Sequence, residues 1–133
     1  MTTISFKTNI PLRSRDVSSL FIASGIKRPV NDLERIQKMI DNSNLTISAW
    51  DQDTLIGLAR AVTDFSYCCY LSDLAVDKAY QKQGVGEELV RIVQKEIGEE
   101  VALILLSSPT AMNYYPKIGF NKIENGFIIP RKK

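Results

Sequence analysis

The sequence predicts an α/β domain of α+β character: a mixed, mostly antiparallel sheet with a central parallel βαβ crossover and helices on both faces. Three observations carry that expectation. Apolar spacing is helical over residues 16–40 and changes to strict alternation at Leu45. A segment with two glycines, Gly84 and Gly86, stands where a strand hands over to a helix. Residues 101–106 are then nearly all Val, Ala, Leu and Ile, the pattern of a strand buried on both faces, and strand, helix and buried strand in series make a parallel crossover. A chain of 133 residues is expected to form a single domain, residues 1–133, around one core.

Residues 4–7 are expected as a short first strand. Over 16–24, Val17, Leu20 and Phe21 share one helix face, and Gly25 is placed to end it. A second helix begins after Pro29, where Asn31 and Glu34 stand at capping-box spacing and Leu33, Ile36 and Ile40 give the apolar face. Leu45, Ile47 and Ala49 then alternate with Thr46, Ser48 and Trp50, Asp51-Gln52-Asp53 turns the chain, and residues 55–63 and 67–76 complete an antiparallel meander. Val85, Leu89, Ile92, Val93 and Ile97 form a helical stripe closed by Gly98. Beyond Pro109, Thr110 is placed to cap a short helix to about Lys117. Residues 120–123 and 127–129 are expected to pair as a hairpin around Asn125-Gly126, a two-residue turn signal.

Composition removes several classes of function. The formal charge is +2, but Arg131, Lys132 and Lys133 supply +3, so the remaining 130 residues carry −1 and show no clustered basic stripe for a nucleic acid. With no histidine, the Ser-His-Asp and Cys-His nucleophile systems and the His-based zinc sites are excluded. Adjacent Cys68 and Cys69 point to opposite faces of a strand and support neither a disulfide framework nor a metal site. The N-terminal residues carry no apolar leader and no stretch approaches the ~18 apolar residues of a membrane span, so the expectation is a reduced, cytoplasmic protein with no membrane partner and no metal.

The segment Gln81 to Glu87 is where chemistry is expected. The free amides and dipole of a helix's first turn favour an anion, and glycines let the backbone approach it. A Walker loop would need Lys and Ser or Thr after Gly86, where this chain has Glu87 and Glu88, and a dinucleotide fingerprint would need a third small residue where it has Leu89. An NTPase and a dehydrogenase are therefore not supported.

Asp73-Leu74-Ala75-Val76, four residues, then Gln81-x-x-Gly84-x-Gly86, resembles the central motif of the GNAT family of acetyl-CoA-dependent N-acetyltransferases. Ala111 to Phe120, with Tyr114-Tyr115, three residues and Gly119-Phe120, is similar to that family's closing motif, and the order of elements agrees over most of the chain. The resemblance implies that the amides of Lys82, Gln83, Gly84, Val85, Gly86 and Glu87 cradle the coenzyme A pyrophosphate while the backbone of Leu74, Ala75 and Val76 pairs with the pantetheine arm. Gln81 stands where many members have Arg, which removes one charge contact, and the side chains of Glu87 and Glu88 are expected to point away from the phosphates.

The implied reaction is attack of a neutral primary amine on the thioester through a tetrahedral intermediate, which needs an oxyanion donor and a proton for the departing thiolate. The resemblance assigns the proton to Tyr115 and the donor to the amide of Val76. The general base is open between Asp73 and an ordered water. A small-molecule amine is the expected acceptor, and a homodimer is a family-level alternative to a monomer. The competing class is a domain of the same fold that binds acyl-CoA as a sensor without turning it over.

Overall fold

The computed structural model describes residues 3–133. The chain forms β1 (Ile4–Thr8), α1 (Ser14–Ser24), α2 (Leu33–Asp41), β2 (Leu45–Asp51), β3 (Thr54–Thr63), β4 (Cys68–Val76), α3 (Val85–Ile97) and β5 (Ala102–Ile104). Short 3-10 turns lie at Lys78–Tyr80, Pro109–Ala111 and Tyr115–Ile118. The sheet order is β1-β2-β3-β4-β5; the first four strands are antiparallel and β5 joins β4 in parallel, as the crossover requires.

Each helix forms for a local reason. Gly25 ends α1 in the left-handed conformation, φ 83°, and its amide bonds back to Phe21 and Ile22. Asp32, one residue after the expected Asn31, caps α2 by accepting from the Arg35 amide. Gly84, φ 82°, opens α3 and Gly98 closes it. Val85, Leu89, Val90, Val93 and Ile97 of α3 pack on Leu45, Ile47, Ala49, Ile56 and Leu71, forming one core. Val17, Leu20 and Phe21 of α1 and Ile36 of α2 pack on Leu55, Leu58 and Ala75, forming the second, so helices cover both faces.

A bulge in β4 fixes which face each of its residues meets. Arg60 of β3 pairs with Asp73 while the next residue, Ala61, pairs with Leu71, leaving Ser72 as an extra residue. Cys69 and Leu71 before the bulge belong to the α3 core. After it the phase is inverted: Leu74 and Val76 face α3, and Ala75 faces α1 and α2. Asp73 therefore shares a side with Arg60 and the α1–α2 connection.

The C-terminal region departs from the sequence expectation in three ways. The helix expected over 110–117 is two 3-10 turns separated by Met112–Tyr114. The strand expected over 101–106 as buried on both faces is only Ala102–Ile104, alternately exposed, because it lies at the sheet edge. The hairpin around Asn125-Gly126 does not form: Phe127 is 100% exposed and Ile129 96%. A two-stranded hairpin holds poorly without a sheet to join, and three residues of β5 offer little edge to pair with.

Gly57 sets how closely α3 approaches the sheet. A Cβ there would lie 3.1 Å from Ala49, 3.2 Å from Val85 and 3.3 Å from Leu89, all inside the packed core. Gly57→Val is expected to lower unfolding free energy by about 1–3 kcal/mol through overpacking, measured by urea denaturation; wild-type stability would show that the contact has slack.

Candidate active site

β4 runs on beyond its pairing with β5. They pair only over Cys68–Tyr70 with Ala102–Ile104, while β4 continues to Val76. The unpartnered edge of β4 at Leu74, Ala75 and Val76 opens into a cleft of about 1490 Å³, closed opposite by residues 105–108 and by Tyr114 and Tyr115. Pockets for one small ligand commonly span ~300–1,000 Å³, so this cleft has room for two reactants. Buried backbone groups demand hydrogen-bond partners, and a splayed strand edge can offer them to an amide-bearing ligand.

The start of α3 forms one end of the cleft. Gly84, Val85, Gly86 and Glu87 line it together with Gln81 and Lys82. Gln83 does not; its side chain turns back to the Ala79 carbonyl at 3.5 Å. Gln81 donates to the Val76 carbonyl at 2.8 Å, tying the glycine segment to the end of β4. A Cβ on Gly86 would stand 2.6 Å from the Tyr114 hydroxyl, so the glycine also makes room for that phenol. Glu88 points outward to Arg91 at 2.6 Å, as expected of both glutamates, whereas Glu87 lines the cleft because its helix position faces it.

The two tyrosines divide the cleft between them. Their rings meet edge to face, centroids 5.3 Å apart, and Tyr115 packs in the same manner on Phe120 at 5.5 Å. Burial pushes the Tyr115 phenol above its ordinary value, Tyr114 adds to the rise and the Arg28 charge partly opposes it. Burial also raises Tyr114, with Glu87 contributing. Tyr114 thus stands beside the start of α3 and Tyr115 toward Arg28, and both phenols stay protonated and able to donate.

Asp73 is completely buried. Its two oxygens accept from Arg28 Nε at 2.6 Å and Arg60 Nε at 2.5 Å. Arg28 also donates to the Ser72 carbonyl, and Arg60 donates to the Ser72 hydroxyl, the Ser43 hydroxyl and the Met39 carbonyl. A carboxylate engaged on both oxygens and shut from the cleft presents no lone pair to an incoming amine. The geometry makes Asp73 a structural clamp and gives the general-base expectation no support. The motifs did not point to Arg28 and Arg60, although an arginine between Ala59 and Ala61 in an apolar strand is a visible anomaly.

Among the described residues, no three His, Cys, Asp or Glu side chains stand together as a metal site, and no helix is long and apolar enough to cross a membrane.

Comparison with known proteins agrees with this architecture. The family profile described as "Acetyltransferase (GNAT) domain" matches residues 14–128, and the chain belongs to that family. An uncharacterized N-acetyltransferase, ycf52, of Gracilaria tenuistipitata var. liui is 30% identical over 124 residues, 88% of this chain and 65% of that protein. The chain thus spans just under two thirds of that relative, and 54% of a ycf52-like relative from Prochlorococcus marinus. A probable acetyltransferase of unknown function from methicillin-resistant Staphylococcus aureus superposes with TM-score 0.82 at 28% identity, covering 97% of this chain and 100% of the other. An aminoglycoside N-acetyltransferase solved with CoA shares the fold at TM-score 0.75 and 15% identity, covering 100% of this chain and 97% of the other.

Removing the charge of Asp73 tests the clamp. Asp73→Asn leaves Arg60 buried without its counter-ion, and such losses cost about 3–5 kcal/mol; since Arg28 is partly exposed and can turn to solvent, about 3 kcal/mol is expected by chemical denaturation. A variant of wild-type stability with reduced turnover would instead restore Asp73 as a reacting group.

Proposed function

We propose that this protein transfers an acetyl group from acetyl-CoA to a primary amine of a small molecule. The observation that carries the reading is the protonated, partly buried Tyr115 in the cleft that joins the splayed edge of β4 to the glycine-led start of α3. The amides at the start of α3 suit the coenzyme's pyrophosphate, with Lys82 as the added cation, and β4 at Leu74–Val76 suits the amide-bearing arm. Gln83 contributes through its backbone alone.

The amine nitrogen bonds to the thioester carbon, a β4 amide, that of Val76 by the family resemblance, receives the developing oxyanion, and the carbon–sulfur bond breaks. Tyr115 gives its proton to the departing thiolate and regains one from solvent. The amine must arrive neutral; with Asp73 sealed, water takes its proton. Coenzyme release on adding an amine separates this reading from an acyl-CoA sensor, which would bind acetyl-CoA and free no thiol.

Tyr115→Phe removes one hydroxyl and is expected to lower kcat about 100-fold, ~2.7 kcal/mol of barrier, with a small change in the KM of acetyl-CoA. Retention of more than half of wild-type kcat, with chemistry rate-limiting, would reduce Tyr115 to packing. Because the phenol is raised, its protonated form persists to higher pH than a free tyrosine's. The wild-type rate should therefore rise with pH as the acceptor deprotonates and show no alkaline fall below about pH 10, measured under saturating acetyl-CoA.

A further inference from the structure

We propose that the acceptor is an amine that itself carries an anionic group, a carboxylate or a phosphate, and that cations on the acceptor side of the cleft hold that group; this rests on the transferase reading above. The charges around the cleft are one-sided. Lys27, Arg28, Arg35, Arg131 and Lys133 line it, whereas the one carboxylate side chain among the described lining residues is Glu87, in the first turn of α3. Among the described residues, Lys27, Arg35, Arg131 and Lys133 have no Asp or Glu carboxylate within ion-pairing distance, and the one terminal oxygen among the contacts, that of Lys133, is met by Arg35 alone. The nearest buried acid, Asp73, is already engaged by two guanidinium groups.

These cations belong to the end away from the phosphate cradle. Arg28 donates to the carbonyl of Ser72, while Gln81, beside the glycines, donates to that of Val76, four residue steps further along β4 or about 13 Å. Arg35 stands one helical turn before Met39, whose carbonyl accepts from Arg60, and its guanidinium donates to the terminal oxygen of Lys133 at 3.3 Å. The tail that bears Arg131 is thereby brought to the same end.

Two consequences follow for an amine entering there. A polycation such as an aminoglycoside or polyamine meets like charge with no carboxylate to receive its ammonium groups, so the fold shared with the aminoglycoside enzyme does not extend to acceptor chemistry. An amine with a carboxylate or phosphate is anchored by charge-assisted hydrogen bonds, and the same cations disfavour its ammonium form, which the attack requires to be lost.

The test compares kcat/KM by thiol release for matched amines: propylamine against β-alanine, ethanolamine against phosphoethanolamine, and spermidine as the polycation. At least one anionic member should exceed its uncharged partner by about tenfold or more, and spermidine should be the poorest. The two pairs distinguish carboxylate from phosphate. In Arg35→Gln/Arg131→Gln the preference should shrink to within about threefold, and Arg35→Lys/Arg131→Lys should keep most of it. Both arginines are exposed, so folding does not depend on them. Equal use of uncharged amines, or preference for spermidine, overturns the inference while the transferase reading stands. A raised KM for acetyl-CoA in the glutamine variant with the amine preference intact assigns the cations to the coenzyme and also overturns it. Thiol release with none of these amines, nor with any wider set, removes the transferase reading and this inference together.

Discussion

The ion cluster of Arg28, Asp73 and Arg60 is the constraint on which the rest of the cleft depends. A buried carboxylate is costly without partners, and here each oxygen is met by a guanidinium from a different part of the chain, one from the α1–α2 connection and one from β3. The cluster sits on the bulge at Ser72 and holds it through the serine's carbonyl and hydroxyl. Because the bulge inverts the facing of β4, the same contact that seals Asp73 also turns Leu74 and Val76 toward α3. The α1–α2 connection and the β4 edge, which line the cleft together, are therefore fixed by a single acid.

Around that anchor the parts of the site have separate physical jobs. Gly84 supplies a left-handed start for α3, and Gly86 supplies space, which the Tyr114 hydroxyl occupies in part. Burial raises the Tyr115 phenol, which keeps the proton that the proposed reaction would use. The chain carries almost no net charge outside its last three residues, yet seven of its seventeen Lys and Arg residues line one cleft against a single acidic side chain, so net charge was silent about that distribution. Membership of the GNAT family agrees with the coenzyme side of this arrangement. The proposed acceptor side is built from the α1–α2 connection, α2 and the tail, which the shared motifs do not constrain.

Much of the fold was legible in the sequence because its elements are locally consistent. The alternation from Leu45, the stripe from Val85 and the stops at Gly25 and Gly98 each match a formed element. The glycine-led end of the cleft was legible through the two glycines and the residues before them, and of the residues singled out there all line the cleft except Gln83, whose side chain turns away. The clamp was harder to see, since pairing of Arg28 with Asp73 spans 45 residues and depends on a bulge that no local pattern announces. A buried arginine in β3 opposite a buried aspartate in β4 was still a pair awaiting an explanation. The C-terminal hairpin failed for the opposite reason: Asn125-Gly126 is a strong turn signal, but a turn alone does not supply a sheet edge.

In the proposed reaction the splayed edge of β4 and the first turn of α3 together receive acetyl-CoA. Amide hydrogen exchange followed residue by residue by NMR, with and without saturating acetyl-CoA, tests it most directly. Slowed exchange is expected at Leu74–Val76 and at Gly84–Glu87, with β1 at the far edge of the sheet unchanged. Binding that leaves both segments exchanging as in the free protein, or that protects the β1 edge instead, would contradict it.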